Sequence, residues 1–182
     1  MIIKEKIQKD LTQATKKKEA LPTSVLRMLL AAILNKEKEK RYKIAKAEPE
    51  LTEEELIEKS QLTDEEVIEV ISSEVKKRKE SILEFEKGER QDLVEKEKKE
   101  IEVLKKYLPE QLSEEEIKKL AKEAIAALRA SLAPSEREKV DLKDMGKVMQ
   151  ELMPQVKGEA DGSLVSKIVK ELLVSEKQYI EQ

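Results

Sequence analysis

The side chains in this sequence with chemistry to offer are lysines, arginines and carboxylates, because it contains no histidine and no cysteine. Histidine general bases, Ser-His-Asp triads, cysteine nucleophiles, disulfides and zinc fingers are thereby excluded. A hard cation held by carboxylates alone stays open, but no loop has EF-hand spacing, so neither a metal nor a cofactor is expected. What remains is binding. Lys143, Lys147, Lys157, Lys167 and Lys170 are the basic residues of a C-terminal pair of helices, and lysines near exposed helix ends meet phosphates as point charges. Acidic residues match them: from Leu142 to Gln182 there are 6 Lys against 7 Asp/Glu. RNA binding by such a surface alone is expected to be weak and salt-sensitive. Only Tyr42, Phe85, Tyr107 and Tyr179 are aromatic, which argues against base stacking and for recognition by shape and backbone contact.

Three glycines stand among these lysines. Gly146 interrupts a helical pattern, where glycine costs roughly 1 kcal/mol relative to alanine. Close packing against the last helix is the expected reason, with close approach of a ligand backbone as the alternative. Gly158 and Gly162 fall in the turn between the two helices and are expected to serve its backbone geometry. Met145, Met149 and Met153 form a soft stripe that reads as core filling, or else as an adaptable binding groove.

The elements that must position these residues are helices. Hydrophobic residues make up 38% of the 182 and charged residues 42%, with 4 Gly and 5 Pro, a composition that predicts an all-α protein. Ile3, Ile7, Leu11 and Ala14 recur at helical spacing and predict a helix from about Ile2 to Lys18. A second helix, capped by Thr23 or Ser24 after Pro22, carries Val25, Leu26, Leu29, Leu30, Ile33 and Leu34 and ends before Pro49. Val67, Ile71, Val75, Ile82 and Phe85 stripe a long helix to about Lys87, with Gly88 placed as its left-handed C′ residue. Leu93, Ile101, Leu104 and Leu108 face inward on its antiparallel partner. A domain boundary is expected around Leu108 to Glu110, giving an N-terminal helical domain over residues 1–110 and a C-terminal three-helix domain over 111–182. Beyond it come a helix with Ile117, Leu120, Ala121, Ala124 and Leu128 inward, and a loop over RASLAPSEREKVD. A helix from about Leu142 to Met153 and a last one capped by Asp161 or Ser163 follow.

One short string recurs: LTEEEL at Leu51–Leu56, LTDEEV at Leu62–Val67 and LSEEEI at Leu112–Ile117. Each puts a hydroxyl at an N-cap, Glu at N3 and apolar residues at N′ and N4. That is a capping box with a hydrophobic staple, and it explains every position better than an acidic recognition motif does.

Charge is unevenly placed although the net is −3. From Met1 to Arg41 there are 11 Lys/Arg against 5 Asp/Glu, and from Glu48 to Val70 a single Lys against 10 Asp/Glu. These blocks read as solvated or mutually attracting faces, or as a basic nucleic-acid surface beside an acidic gate. The N-terminus MIIKEKIQKDL lacks an apolar signal core, and the run from Val25 to Leu34, broken by Arg27, is too short to span a bilayer. A soluble cytoplasmic protein without a membrane partner is the expectation.

Three longer strings, TSVLRMLLAAILN, EVKKRKESILEFEKGERQDLVEKEKKEIEVLKKYLPEQLSEEEI and DMGKVMQELMPQVKGEADGSLVSKIVKELL, closely resemble the YqeY-like family. The tail also resembles the end of the B subunit of the tRNA-dependent Asp/Glu amidotransferases, where it helps hold the tRNA. The resemblance implies two all-helical domains and tRNA, or a tRNA-handling protein, as partner. Residues from about Tyr42 to Gln61 and from about Ala130 to Val140 look like insertions in connecting regions. A role in glutamine-dependent carbon–nitrogen ligation is not implied by any residue: the cradle domain that performs it in the B subunit has no counterpart here, and the glutaminase nucleophile belongs to another subunit. The expectation is a non-catalytic tRNA-binding module, with a protein–protein adaptor as the alternative and an amidotransferase accessory as the third reading.

Overall fold

The structure, a computed structural model, describes residues 2–132 and 140–180, with side chains to residue 175. The protein is all-α. Its described helices are α1 (Ile2–Lys16), α2 (Ala20–Ala47), α3 (Glu53–Lys59), α4 (Asp64–Lys87), α5 (Gln91–Lys105), α6 (Glu114–Ser131), α7 (Met145–Leu152) and α8 (Gly162–Ile180), with a 3-10 turn (Leu142–Asp144) leading into α7. Contacts gather them into two compact units, Met1–Leu108 and Pro109–Gln182.

In the first unit α4 packs along α5, and both lie against α2, while α1 covers α2 and α4 and α3 packs on α2. The periodic apolar residues of α1, α2, α4 and α5 meet in one core. Ile7 comes from α1, Val25, Leu26, Leu29 and Ile33 from α2, Val67, Ile71 and Val75 from α4, and Ile101 and Leu104 from α5. Each such side chain, fully buried, contributes roughly 1.5–3 kcal/mol. Polar ties reinforce the packing of α1. Lys4 pairs with the buried Glu37 of α2. The Tyr107 hydroxyl donates to Asp10 at 2.8 Å, and Lys6 Nζ stands 5.6 Å from the Tyr107 ring centroid. Burial, then the Asp10 carboxylate, pushes the Tyr107 hydroxyl far above its ordinary range, so it stays protonated and donates.

The second unit repeats the scheme on a smaller scale. Ile117, Ala121, Ala124 and Ile125 of α6 meet Val148 and Leu152 of α7 and Val165, Ile168, Val169 and Leu173 of α8. Met145, Met149 and Met153 pack against this core, as filling rather than as an open groove. The backbone N–H of Leu112 donates to the Glu159 carbonyl at 2.7 Å, and Gln111 Nε2 donates to the Gly158 carbonyl at 2.9 Å. The segment ahead of α6 is thus tied to the turn between α7 and α8.

Helix ends follow local chemistry. All three repeated strings form complete capping boxes: Thr52 with Glu55, Thr63 with Glu66, and Ser113 with Glu116. Asp161 caps α8, its carboxylate accepting from the Ser163 N–H at 2.9 Å. Other ends depart from expectation. α1 stops at Lys16 because Lys18 turns left-handed (φ 57°), and the Glu19 N–H donates to the Ala14 carbonyl. That closing turn lets α2 begin at Ala20, upstream of Thr23 and Ser24, with Glu19 as a cap that makes no side-chain bond. Pro22 is accommodated in the first turn, where no N–H is needed.

At the end of α4 the left-handed residue is not Gly88, whose φ is −86°, but Glu89, at 55°. The Arg90 N–H donates to the Phe85 carbonyl at 2.9 Å, completing the six-to-one bond of a Schellman turn one residue later than the glycine suggested. Arg129 to Ser131 belong to α6, not to the following loop. Pro134 and the rest of 133–139 lie outside the described residues.

Two stability outcomes follow. Ser113→Ala removes the hydroxyl from its capping box and lowers the stability of the second unit by roughly 0.5–2 kcal/mol, read as a shift of its urea midpoint. Gly88→Ala is tolerated, because a Cβ there meets only carbonyl oxygens of Glu84 and Phe85 at 3.6 and 3.7 Å. Urea denaturation should show a gain of about 0.4–1 kcal/mol, whereas a left-handed requirement at Gly88 would produce a loss.

Candidate functional site

The five lysines of the second unit are all exposed, on three pieces of backbone. Lys143 lies in the 3-10 turn, and Lys147 one turn later in α7. Lys157 precedes Gly158 in the connection to α8, and Lys167 and Lys170 stand one turn apart on α8. The sequence does not show how some are engaged. Lys147 Nζ donates to Asp144 Oδ1 at 2.8 Å, and the Asp144 carboxyl is held below its ordinary range chiefly by that bond. Lys167 comes within 4.0 Å of Glu171. These two cations are partly neutralised locally, although exposed pairs of this kind are weak.

The glycines separate into three cases. Gly158 has φ 80°, the left-handed conformation that the turn requires and glycine supplies without strain. Gly162 opens α8 without a positive φ, and a Cβ there would touch Met153 Cε at 3.6 Å, an ordinary contact. Backbone geometry therefore does not demand glycine at 162. Gly146 is exposed, and a Cβ built on it meets nothing within 4 Å. Close packing against the last helix is not the reason for this glycine; the first turn of α7 simply presents bare backbone between Lys143 and Lys147.

The first unit holds two features that pattern reading missed. Arg78 occupies a core position on the α4 stripe, between Ile71 and Ile82, and is only 6% exposed. Its guanidinium donates to Glu74 Oε2 at 2.9 Å and to Glu100 Oε2 of α5 at 3.1 Å, with Glu97 at 3.9 Å. Burial opposes the charge of Glu74, but Lys77 and Arg78 outweigh it and hold its carboxyl below the usual range. Burial and then the neighbouring Glu100 push the Glu97 carboxyl up. A charged residue in apolar register was the available signal. The second feature is a groove of about 880 Å³ along α2 and α4, floored by Ala31, Ala32 and Val70 beside the exposed Met28. Lys40 crosses its end to Glu66 at 2.7 Å.

Among the described residues no group of three carboxylates is arranged to hold a metal ion, and no helix is long and apolar enough to cross a membrane.

The raised Glu97 carboxyl gives a pH test. A folded-state value above the unfolded one means that proton uptake favours the fold. The contribution is fully present below the unfolded value and is lost as pH rises through the folded one. Glu97→Gln removes this charge, so it should raise stability at pH 7 by less than about 1 kcal/mol. The advantage should disappear as pH falls below the ordinary carboxylate range, where Glu97 is neutral in both states. Urea midpoints at pH 7 and at acid pH check both parts.

No curated protein is a match for this chain. A family model for Yqey-like proteins matches residues 35–173, from the middle of α2 through most of α8. The string TSVLRMLLAAILN falls almost wholly before that range, whereas the central and C-terminal strings lie within it. The chain therefore belongs to the YqeY-like family.

Proposed function

We propose that this protein is a non-catalytic helical module that binds tRNA, with the start of α7 and the α7–α8 turn as the contact surface. The observation that carries this reading is Gly146. It is an exposed glycine in the first turn of a helix, next to open space, and nothing in the fold requires it. Bare backbone at a helix start admits close approach of a phosphate, and Lys143 and Lys147 stand on either side of it. Lys157 and Lys170 extend the basic groups onto the turn and α8. The family's likeness to the tRNA-holding tail of the amidotransferase B subunit supports the same ligand.

A second reading, a protein adaptor, is favoured by the groove along α2 and α4 rather than by the methionines, which fill the core of the second unit. An accessory role in glutamine-dependent amide transfer would act through the bound tRNA.

Titration into labelled total tRNA at low and physiological salt, with duplex DNA as control, tests the first reading. Saturable binding that prefers tRNA and weakens with salt supports it; no binding at either salt puts the adaptor first. Charge reversal at Lys143, Lys157 and Lys170 together should weaken tRNA binding by at least about tenfold and flatten the salt dependence by roughly three units of slope, one per lost phosphate contact. Helicity by circular dichroism should be unchanged, since all three side chains are exposed. Unaltered affinity in that variant would place the contact elsewhere.

A further inference from the structure

We propose that the solvent face of α2 carrying Lys38, Tyr42 and Lys46 binds a single-stranded nucleic-acid segment, with one base stacked on the Tyr42 ring and the phosphates on either side held by the two lysines. This rests on the RNA-binding reading and adds a site in the other unit.

The composition pointed away from stacking, but exposure decides which aromatics are available. Tyr107 is 7% exposed and tied to Asp10, and Phe85 is half-buried. Tyr42 is 72% exposed, with its ring open to solvent. Lys38 precedes it by four residues and Lys46 follows it by four, and both are exposed. Residues at this spacing share one helix face. Here that face lies opposite the one on which Ile33 and Glu37 are buried. The lysines lie roughly 12 Å apart along the axis with the ring midway, so each long side chain reaches a phosphate adjacent to a base on that ring.

The charges nearby divide clearly. Lys36 pairs with Glu39, Lys40 with Glu66, and Arg41 hydrogen-bonds Ser60. Lys38, Lys43 and Lys46 make no such contact among the described residues. Solvation and the α2 dipole account for lysines at this end of the helix. They do not account for an aromatic ring placed between two of them. A flat π-face flanked by cations suits an unpaired base and its phosphates, because stacking tolerates any base and the cations follow the backbone. An acidic peptide would use the lysines and leave the ring idle.

The test uses the full chain and a labelled uridine homopolymer, with duplex RNA and polyglutamate as competitors. The homopolymer is expected to bind in preference to duplex, with a logarithmic salt slope of about −1.4 for the two lysines. Tyr42→Ala should lose roughly five- to 150-fold in affinity, and Tyr42→Phe should retain it, since the ring face and not the hydroxyl carries the contact. Tyr42→Trp introduces a tryptophan into a chain that has none, and its fluorescence should be quenched on binding. Equal affinity of wild type and Tyr42→Ala overturns the inference, as does loss in Tyr42→Phe equal to that in Tyr42→Ala. Polyglutamate binding with the same dependence on Tyr42 overturns it too. If the homopolymer fails to bind while tRNA binding still depends on Lys143, Lys157 and Lys170, this inference falls and the proposed function stands. If tRNA fails and the homopolymer binds through Tyr42, the reverse holds.

Discussion

Burial of the α4 stripe is the constraint on which the first unit depends. Without cysteines for disulfides, and with so many charged residues, the unit has to draw its stability from apolar helix faces. α4 contacts α1, α2 and α5, and Val67 and Ile71 are completely buried where these helices meet. Arg78 sits in the same stripe. Removing a guanidinium from water is tolerable only because Glu74 and Glu100 face it at hydrogen-bonding distance. Glu97 stands at the edge of the same cluster, where burial first and then the neighbouring Glu100 push its carboxyl up. The α4–α5 contact therefore combines apolar packing, which has no direction, with one polar cluster that fixes how the two helices align.

Local interactions at the helix ends supply the remaining definition. The three capping boxes set where α3, α4 and α6 begin. Left-handed residues at Lys18 and Glu89 set where α1 and α4 stop, at a steric cost that glycine would avoid. In the second unit the left-handed position is filled by Gly158 itself, and its carbonyl is held by Gln111. The turn that carries Lys157 is thus fixed by hydrogen bonds from the segment ahead of α6, so a lysine that would otherwise sit on a loose connection is held in place.

Binding function, where side chains are mostly lysines, depends on which of them are already committed. Composition counts Lys147 and Lys143 alike, yet Lys147 is bonded to Asp144. On α2 the same sorting leaves Lys38 and Lys46 beside an exposed tyrosine, while Lys36 and Lys40 are paired. Both surfaces offer exposed cations and, in one case, an open ring.

The all-α class, the helix stripes, the three caps and the membership of the YqeY-like family are legible in the sequence, because each rests on residues close in the chain: periodicity three or four apart, or a hydroxyl and a glutamate three apart. The same locality misled at Gly88 and Gly146. A glycine announces permission for an unusual backbone or a close neighbour, but only the folded chain shows that Glu89 takes the left-handed turn and that Gly146 has no neighbour. The tertiary structure alone decided that Arg78 is buried between two helices, that α2 and α4 leave a groove, and that Tyr42 is open while Tyr107 is closed. Each of these depends on groups distant in sequence, whose distances and burial no local pattern encodes.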